Sequence, residues 1–332
     1  MFYLDDLAYL TSSILWFGKC KENRPDLGPK LPVTVLIPVH RERREVVEAT
    51  VRSVKSQTVP TDVWILMDYR DNVEEMEKLA GLADRLIVNS NSSKAEAINR
   101  VTMLLKTRYT LIIDAGDRFS TPYDLQRMLG LAESKQLDAV TPVFTTTGSR
   151  WWQKLVRMEM HHWTSRTLPL IKRRFGFYPL PGTGLLMRSS VLQTIPFPNT
   201  LAEDATMGLF VRNAEVCHSA KLIYNLPDSL AAHLKQRARW MAGYLQSIRF
   251  ARGREKLVYC LPVVQGLVPV SVLTSPFVHT PIDPACLGLL VIMVARTNPI
   301  IPFWWFVAGF SFYLSLYYAS FNRWYHSPKV IR

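Results

Sequence analysis

Cysteine is scarce in this sequence, and the few cysteines are far apart. Only four of the 332 residues are cysteines, namely Cys20, Cys217, Cys260 and Cys286. No two of them are close enough to form a zinc knuckle or a redox-active CxxC pair. We therefore expect four reduced thiols with a structural role, the usual fate of a lone cysteine.

Charge is almost absent from the C-terminal part of the chain. Residues 257–320 contain one acid, Asp283, and one arginine, Arg296, although the whole chain has 40 basic and 27 acidic residues and a net charge of +13. An excess of basic over acidic residues is typical of proteins that bind nucleic acid, an anionic membrane surface or a phosphorylated substrate. Basic residues next to an apolar block mark its cytoplasmic side, and here they are Arg249, Arg252, Arg254 and Lys256.

The apolar C-terminal part predicts membrane segments between residues 255 and 321. Leu257–Ser275 and Ile300–Ser320 are each long enough to cross a bilayer. Ala285–Ala295 is shorter, and fits a third crossing or a re-entrant segment. The basic tail at 322–332 favours an even number of crossings. We expect an integral membrane protein whose polar domain and C-terminus are cytoplasmic.

The N-terminus does not have the pattern of a secretory signal, because Asp5 and Asp6 interrupt its apolar stretch. Apolar residues instead recur at helical spacing over residues 1–19. This pattern fits an amphipathic helix in the membrane interface, and equally well a helix packed on the protein's own membrane segments. Residues 20–32 are polar, contain three prolines and predict a linker.

Short apolar runs alternate with helical patterns from residue 33 onward. This alternation predicts a mostly parallel α/β sheet, with ligands beyond the carboxyl ends of its strands, where Asp68 and Asp114 lie. The predicted strands are Val33–Val39, Asp62–Asp68, Arg85–Asn89, Tyr109–Asp114 and Asp138–Pro142, and the predicted helices are Arg43–Ser56, Asn72–Gly81, Lys94–Lys106 and Pro122–Lys135.

The pattern changes after Gly148. We expect a helix over Trp151–Leu168, a loop that begins at Lys172–Arg174, a strand at Leu185–Arg188 and a short helix at Asp204–Asn213. Apolar residues in 232–250 repeat at 4-3-4-3 spacing, which is typical of an amphipathic helix. The predicted organisation is an α/β domain over 33–231, an interfacial helix over 232–254 and the membrane region.

Acidic residues follow an apolar strand and begin a later helix. Asp114 and Asp117 end the fourth strand, where two carboxylates can hold Mg²⁺ or Mn²⁺; an ordinary turn fits as well. Glu203 and Asp204 start a helix, so they fit both a favourable interaction with the helix dipole and a general base.

Two further segments have a functional and an ordinary interpretation. Gly182-Thr183-Gly184 permits close approach of the backbone to a ligand, and also fits a tight turn. Lys94 and Asn99 open the third helix. They fit a capped helix start or polar side chains near a nucleotide.

Gln236, Arg239 and Trp240 are three and four residues apart, so a helix can point them at one ligand. A guanidinium suits a diphosphate, and an indole face suits the apolar side of a sugar ring. A solvated basic helix face and a nucleic-acid site are the alternatives. Trp240 argues against both, because it is too large and apolar to leave in water.

Together these motifs resemble the membrane-embedded, inverting glycosyltransferases of family 2, which include cellulose, chitin and hyaluronan synthases. The resemblance covers roughly residues 33–320 and implies a GT-A fold. Its motifs are Leu36-Ile37-Pro38-Val39-His40, Ser53…Gln57-Thr58, Lys94-Ala95-Glu96-Ala97-Ile98-Asn99, Asp114, Gly182-Thr183-Gly184 with Arg188, Ala202-Glu203-Asp204 and Gln236…Arg239-Trp240. Gly116 departs from the family, because the second metal-binding acid falls one residue later, at Asp117.

The resemblance implies a role for each of these residues. Asp204 would be the catalytic base, Asp114 and Asp117 would bind Mg²⁺ or Mn²⁺, and the donor, a nucleotide-diphospho-sugar such as a UDP-sugar, would contact Asp68, Lys94, Asp114, Gln236 and Arg239. The acceptor would contact Gly182, Thr183, Gly184, Glu203 and Trp240.

The partners implied are this donor, a saccharide or lipid-linked acceptor and the lipid bilayer. No nucleic acid is expected as a partner, and a homo-oligomer is possible. Processive polysaccharide synthesis and single transfer to a polyprenyl-phosphate or glycolipid acceptor both fit. A basic membrane-anchored module that binds nucleotides or anions, and a degenerate transferase without turnover, are the remaining alternatives.

Overall fold

A computed structural model describes residues 27–68, 73–89 and 93–259. The chain divides into two compact units. One unit spans Lys21–Leu226, and the other includes 227–259 among the described residues. The predicted N-terminal helix, most of the predicted linker and almost all of the predicted membrane region lie outside the described residues.

Eight strands and nine α-helices are found in the described part of the chain. The strands are β1 Val33–Pro38, β2 Thr61–Asp68, β3 Arg85–Asn89, β4 Tyr109–Ile112, β5 Arg118–Phe119, β6 Ala139–Thr146, β7 Leu185–Arg188 and β8 Ala214–Tyr224. The helices are α1 Arg44–Lys55, α2 Val73–Glu77, α3 Lys94–Val101, α4 Asp124–Ser134, α5 Trp151–His162, α6 Leu168–Phe175, α7 Ser189–Thr194, α8 Glu203–Met207 and α9 Leu230–Ser247. Thr102–Leu104 forms a 3₁₀ turn, and Trp163–Thr167 forms a π-helical turn.

The strands form one mixed sheet in the order β3-β2-β1-β4-β7-β6-β8-β5. The first four strands are parallel to one another, and β6 is parallel to β8. β7 is antiparallel to both β4 and β6, and β5 is antiparallel to β8. The predicted α/β fold is therefore confirmed, with antiparallel pairs in its second half.

The core lies on both faces of the central strands. Four of the first five residues of β1 are apolar, and Val33, Val35, Leu36 and Ile37 are fully buried. α1 contributes Val47, Val51 and Val54, which recur at helical spacing and are also fully buried. Strands covered on both faces are nearly continuous apolar runs, which explains why such runs in the sequence located them well.

The predicted loop at Lys172–Arg174 is wrong, because these residues form the last turn of α6. The helical segment passes through the π-helical turn at Trp163–Thr167 and continues beyond Leu168 to Phe175. Gly176 closes it, with a φ of 79° and an N–H that donates to the Lys172 carbonyl. Basic side chains near a helix C-terminus interact favourably with the last carbonyl groups.

Three helices end well before the predicted residue, and two short elements were missed. α2 ends at Glu77 rather than Gly81. α3 gives way at Thr102 to the 3₁₀ turn, and α8 ends at Met207 rather than Asn213. β5 and α7 have two and six residues, too few to show a period.

Cys217 lies in β8 as a buried free thiol, and burial raises its pKa. Within the described part of the chain, no helix is both long and apolar enough to cross a bilayer.

Candidate functional site

The antiparallel pairing of β4 with β7 builds the centre of the candidate site. Ile112 in β4 lies opposite Leu185 in β7. The residues that follow Ile112 therefore lie beside those that precede Leu185. This register brings Gly182-Thr183-Gly184 next to Asp114–Asp117, which we call the acidic loop.

Thr183 ties the two carboxyl-bearing ends of the acidic loop together. Its hydroxyl accepts a hydrogen bond of 3.0 Å from the Asp114 backbone N–H and donates one of 2.5 Å to Oδ2 of Asp117. The side chain is buried, with 3% of its surface exposed. In this structure the Thr183 hydroxyl therefore organises the acidic loop; contact with an acceptor stays a prediction.

Gly116 allows the tight turn that separates the two acids. Its φ is 95°, and a Cβ there would lie 2.4 Å from the side-chain nitrogen of Asn225. The Gly116 N–H donates to the buried hydroxyl of Thr50 at 2.8 Å, and the Asp117 N–H donates to the Asp114 carbonyl at 3.1 Å. The extra residue between the two acids is thus accommodated in a tight turn, which the hydrogen bond to Thr50 in α1 holds in place.

Asp117 is held deep in the protein. Only 1% of its surface is exposed, and its Oδ1 accepts a 2.7 Å hydrogen bond from the Asn225 N–H. Burial is the larger cause and repulsion from Asp114 the smaller one that together raise the pKa of Asp117 to about 8. The hydrogen bonds from Asn225 and Thr183 oppose this rise. Asp117 is therefore the more buried of the two acids, while Asp114 is the accessible one, with 41% of its side chain exposed.

Lys94 is the cation of the site and lies at the first residue of α3, whose N-terminus the Ser93 hydroxyl caps. Its Nζ donates to Oδ1 of Asp114 at 2.5 Å and to the Gly182 carbonyl at 2.6 Å. Oε1 of Glu203 lies 4.0 Å from the same nitrogen. Burial opposes the charge, but attraction to Asp114, Glu203 and Asp204 outweighs it and raises the pKa of Lys94, so the ammonium stays protonated at neutral pH.

Asp204 completes the cluster from the first turn of α8. A Cβ on Gly182 would lie 2.3 Å from Oδ2 of Asp204 and 3.3 Å from Nζ of Lys94. Glycine at position 182 therefore lets the Asp204 carboxyl approach the backbone beside Lys94. Burial raises the pKa of Asp204, and attraction to Lys94 offsets part of the rise. Glu203, next in the chain, is buried with 9% of its surface exposed.

The structure brings most of the predicted site residues to one edge of the sheet. Asp68 is buried at the end of β2, with 4% of its surface exposed, so it lies at the carboxyl edge as predicted. Asn99 instead serves the fold. Its amide donates to the Phe197 carbonyl at 2.9 Å and accepts from the Phe197 N–H at 2.8 Å, which fixes the chain after α7.

The helix α9 carries Gln236, Arg239 and Trp240 in the second unit. The Trp240 ring contacts Arg237, whose guanidinium lies 4.8 Å from the ring centroid. Arg237 is buried, and its Nε donates to Nε2 of His233 at 3.4 Å. Burial, followed by repulsion from Arg237, lowers the pKa of His233 to about 3, so this histidine is neutral. Oε1 of Gln236 is buried and has no hydrogen-bond partner among the described residues.

Sequence reasoning missed the residues that hold the acidic loop in place. They are Thr50 and Ser53 in α1, Gln57 just after it and Asn225 after β8. Ser53 and Gln57 belong to the motifs of the family resemblance, but no role was predicted for them. Ser53 accepts from the Phe119 N–H at 2.9 Å, and Gln57 donates to the Thr121 carbonyl at 3.0 Å. Gln57 and Thr50 are buried. Buried polar residues on an otherwise apolar helix face were the signal that could have identified this role.

Asp114 is the acid of this pair that a divalent cation completed by a substrate could reach, because Asp117 is buried and both of its carboxyl oxygens already accept hydrogen bonds. Carboxylate oxygens are the ligands that Mg²⁺ and Mn²⁺ prefer. No group of three or more acidic, histidine or cysteine side chains able to hold a metal is found within the described ranges. One or two protein carboxylates with substrate phosphates and waters is the usual arrangement for Mg²⁺.

Comparison with known proteins identifies the family. Residues 29–243 match the model of the glycosyltransferase like family 2, and this match covers more than half of the chain. The chain therefore belongs to this family, and the family resemblance drawn from the sequence motifs is confirmed at that level. A search of curated protein sequences found no match.

Solved structures agree with the fold. The chain is similar to the mannosyltransferase PcManGT of Pyrobaculum calidifontis, solved with GDP-Man and Mn²⁺, with a TM-score of 0.67 and 16% identity over 98% of this chain and 96% of that one. A weaker similarity is to S. aureus TarS 1–349 with UDP-GlcNAc, with a TM-score of 0.48 and 13% identity over 69% of both chains. Mannosyl-3-phosphoglycerate synthase from Rubrobacter xylanophilus matches with a TM-score of 0.46 and 14% identity over 76% and 79%. The first of these supports the GT-A-like fold.

Replacing Thr183 by valine should loosen the acidic loop. The change keeps the shape of the side chain but leaves the buried Asp117 oxygen and the Asp114 N–H without a partner, which costs about 1–3 kcal/mol. We expect this loss in the free energy of unfolding of the full chain, measured by denaturant titration, and Thr183→Ser should recover most of it.

Thr194→Val is the matched control for this substitution. Thr194 is exposed on α7 and donates within its own helix to the Ser190 carbonyl at 2.8 Å. Its replacement should change stability by less than about 0.5 kcal/mol. Equal losses at positions 183 and 194 would show that the Thr183 hydroxyl does not hold the loop.

Proposed function

We propose that this protein is an inverting glycosyltransferase that works at a membrane and transfers a hexose from a nucleotide-diphospho-sugar to a saccharide or lipid-linked acceptor. One observation carries the proposal. A carboxylate suited to act as a base, Asp204, lies with the ammonium of Lys94 beside the acidic loop, at the carboxyl edge of the sheet.

The donor side of the site would use the charges around the acidic loop. Asp68, at the end of β2, would accept hydrogen bonds from the nucleobase. Asp114 and Asp117 would hold Mg²⁺ or Mn²⁺, which supplies positive charge next to the donor diphosphate when it is bound. Lys94 and, on α9, Arg239 and Gln236 would bind the diphosphate oxygens, where negative charge builds as the bond to the sugar breaks.

The acceptor side would be organised around Asp204. Its carboxylate would take the proton from an acceptor hydroxyl, and the hydroxyl oxygen would bond to the anomeric carbon from the face opposite the diphosphate. The bond between that carbon and the diphosphate oxygen would break in the same displacement, so the configuration would invert. Glu203, the backbone of Gly182-Thr183-Gly184 and the indole of Trp240 would orient the acceptor.

The membrane location rests on the sequence. Leu257–Ser275 and Ile300–Ser320 are apolar over bilayer length, and basic residues lie before the first and after the second. This distribution supports an integral membrane protein with its catalytic domain and C-terminus in the cytoplasm. It also supports the proposed division into a GT-A domain over 33–231, an interfacial helix over 232–254 and a membrane region over 255–321.

The donor and metal are identified by measuring nucleotide release from the purified, detergent-solubilised chain. The panel contains UDP-sugars and GDP-sugars, GDP-mannose included, each with Mn²⁺, Mg²⁺ or EDTA. We expect metal-dependent release from one donor, and Asp204→Asn should lower the rate by about 10²–10⁴-fold while nucleotide binding is kept.

Near-normal turnover in Asp204→Asn would contradict the assignment of the base. Nucleotide binding without release from any donor would favour a degenerate transferase. Salt-sensitive anion binding that ignores the nucleotide would favour a binding module. Analysis of product length then separates a polymerase from an enzyme that transfers one sugar.

Gly182→Ala should reduce turnover without unfolding the protein. The new methyl group would meet Oδ2 of Asp204 and displace the carboxyl, and a misplacement of about 1 Å costs on the order of 10²-fold in rate. Gly81→Ala is the control, because a Cβ at position 81 has no atom within 4 Å. Equal kcat values for the two variants and the unmodified protein would argue against a reactive position for Asp204.

The pH dependence of kcat/KM should report the raised pKa of Asp204. A general base works only when deprotonated, so kcat/KM falls as the pH drops below the pKa of the base. Because the pKa of Asp204 is raised, we expect this fall at a pH above the value of about 4 for an ordinary aspartate. Rates are measured in the pH range over which circular dichroism shows the fold intact. An acidic limb at or below about pH 4 would contradict this assignment.

A further inference from the structure

Lys94 is paired with Asp114, the acid to which a divalent cation would bind. The ammonium donates to Oδ1 of Asp114, and Asp114 is the accessible acid of the pair. The second hydrogen bond of Lys94, to the Gly182 carbonyl at 2.6 Å, holds the ammonium in this place. In the protein without ligands, Asp114 is therefore already paired with a cation.

The surroundings explain why a cation is held there. Glu203 lies 4.0 Å from the ammonium, and Asp204 approaches it across Gly182. Carboxylates that are brought together repel one another and are costly to bury without an opposite charge. One ammonium on a flexible four-carbon stem provides that charge and can also be withdrawn.

We propose that Lys94 is the built-in counter-ion of these carboxylates in the free protein, and that it moves to the diphosphate when the donor and the divalent cation bind together. This inference deepens the proposed function, on which it rests. A divalent cation that arrives alone would be placed next to an ammonium, and like charges repel. The donor diphosphate removes this conflict, because it carries negative charge to which both cations are attracted.

Two consequences distinguish this arrangement from a metal site that is open in the free protein. Divalent cations should bind weakly without nucleotide and much more tightly with it. By thermodynamic linkage, the nucleotide should gain the same factor in affinity from the cation. Removal of the Lys94 charge should tighten cation binding to the free protein and reduce this coupling.

The test is the affinity of the full-length, solubilised chain for Mn²⁺, measured by electron paramagnetic resonance of the free ion with no sugar donor present. We expect Lys94→Met to bind Mn²⁺ at least about tenfold more tightly than the unmodified protein. Lys94→Arg, which keeps the charge, should bind as weakly as the unmodified protein. Asp114→Asn in the Lys94→Met background should abolish the gain.

Lys135→Met controls for the loss of one positive charge. Lys135 pairs with Glu215 at 2.7 Å at the far end of α4, where 40% of its side chain is exposed. Its replacement should leave Mn²⁺ affinity unchanged. Equal affinities of Lys94→Met and the unmodified protein, or equal gains from Lys135→Met and Lys94→Met, would overturn the inference.

The unmodified protein provides a test that no folding defect can obscure. Its Mn²⁺ affinity is measured with and without GDP and UDP. We expect at least about a tenfold increase with the nucleotide that the protein recognises, and equal affinities throughout would overturn the inference. If Lys94→Met tightens Mn²⁺ binding but no donor releases nucleotide, the counter-ion role stands and the proposed transferase fails.

Discussion

The concentration of negative charge at one edge of the sheet is the constraint on which the rest of the site depends. Asp114 and Asp117, which belong to one loop, meet Asp204 from a distant part of the sequence near the end of the β4–β7 pair. Such a group is stable only if each carboxyl group has a partner. Lys94 serves Asp114, while Thr183 and Asn225 serve Asp117.

This constraint explains features that have no apparent relation to chemistry. Gly116 turns the chain so that Asp117 points into the protein instead of toward solvent, and Thr50 binds the freed N–H of the turn. Gly182 leaves room for Asp204. Ser53 in α1 and Gln57 just after it hold the loop that follows Asp117. Each of these features helps to keep the acids close together. Within the acidic loop they leave Asp117 buried and Asp114 accessible.

The helix α9 shows where a surface pattern and a structure differ. Gln236, Arg239 and Trp240 were predicted to face one ligand, and the helix is present. The arginine that contacts Trp240 is Arg237, a residue the pattern had not singled out. A guanidinium stacked on an indole is a favourable contact by itself, so Arg237 helps to fix the orientation of the ring. The roles of Gln236, Arg239 and Trp240 in ligand binding remain proposals.

The sequence by itself determined the α/β class, the central strands and the family. Mainly apolar runs located β1, β2 and β4 because those strands are buried on both faces, and the order of the motifs pointed to the family that the comparisons show. Tertiary structure alone decided the β4–β7 register, the inward turn of Asp117 and the pairing of Lys94 with Asp114. These features depend on contacts between residues far apart in the chain, and local sequence patterns do not predict such contacts. The role of Asn99 has the same cause, since packing decided between two interpretations that the local sequence allowed. The loop predicted at Lys172–Arg174 was wrong, because these residues continue a helix.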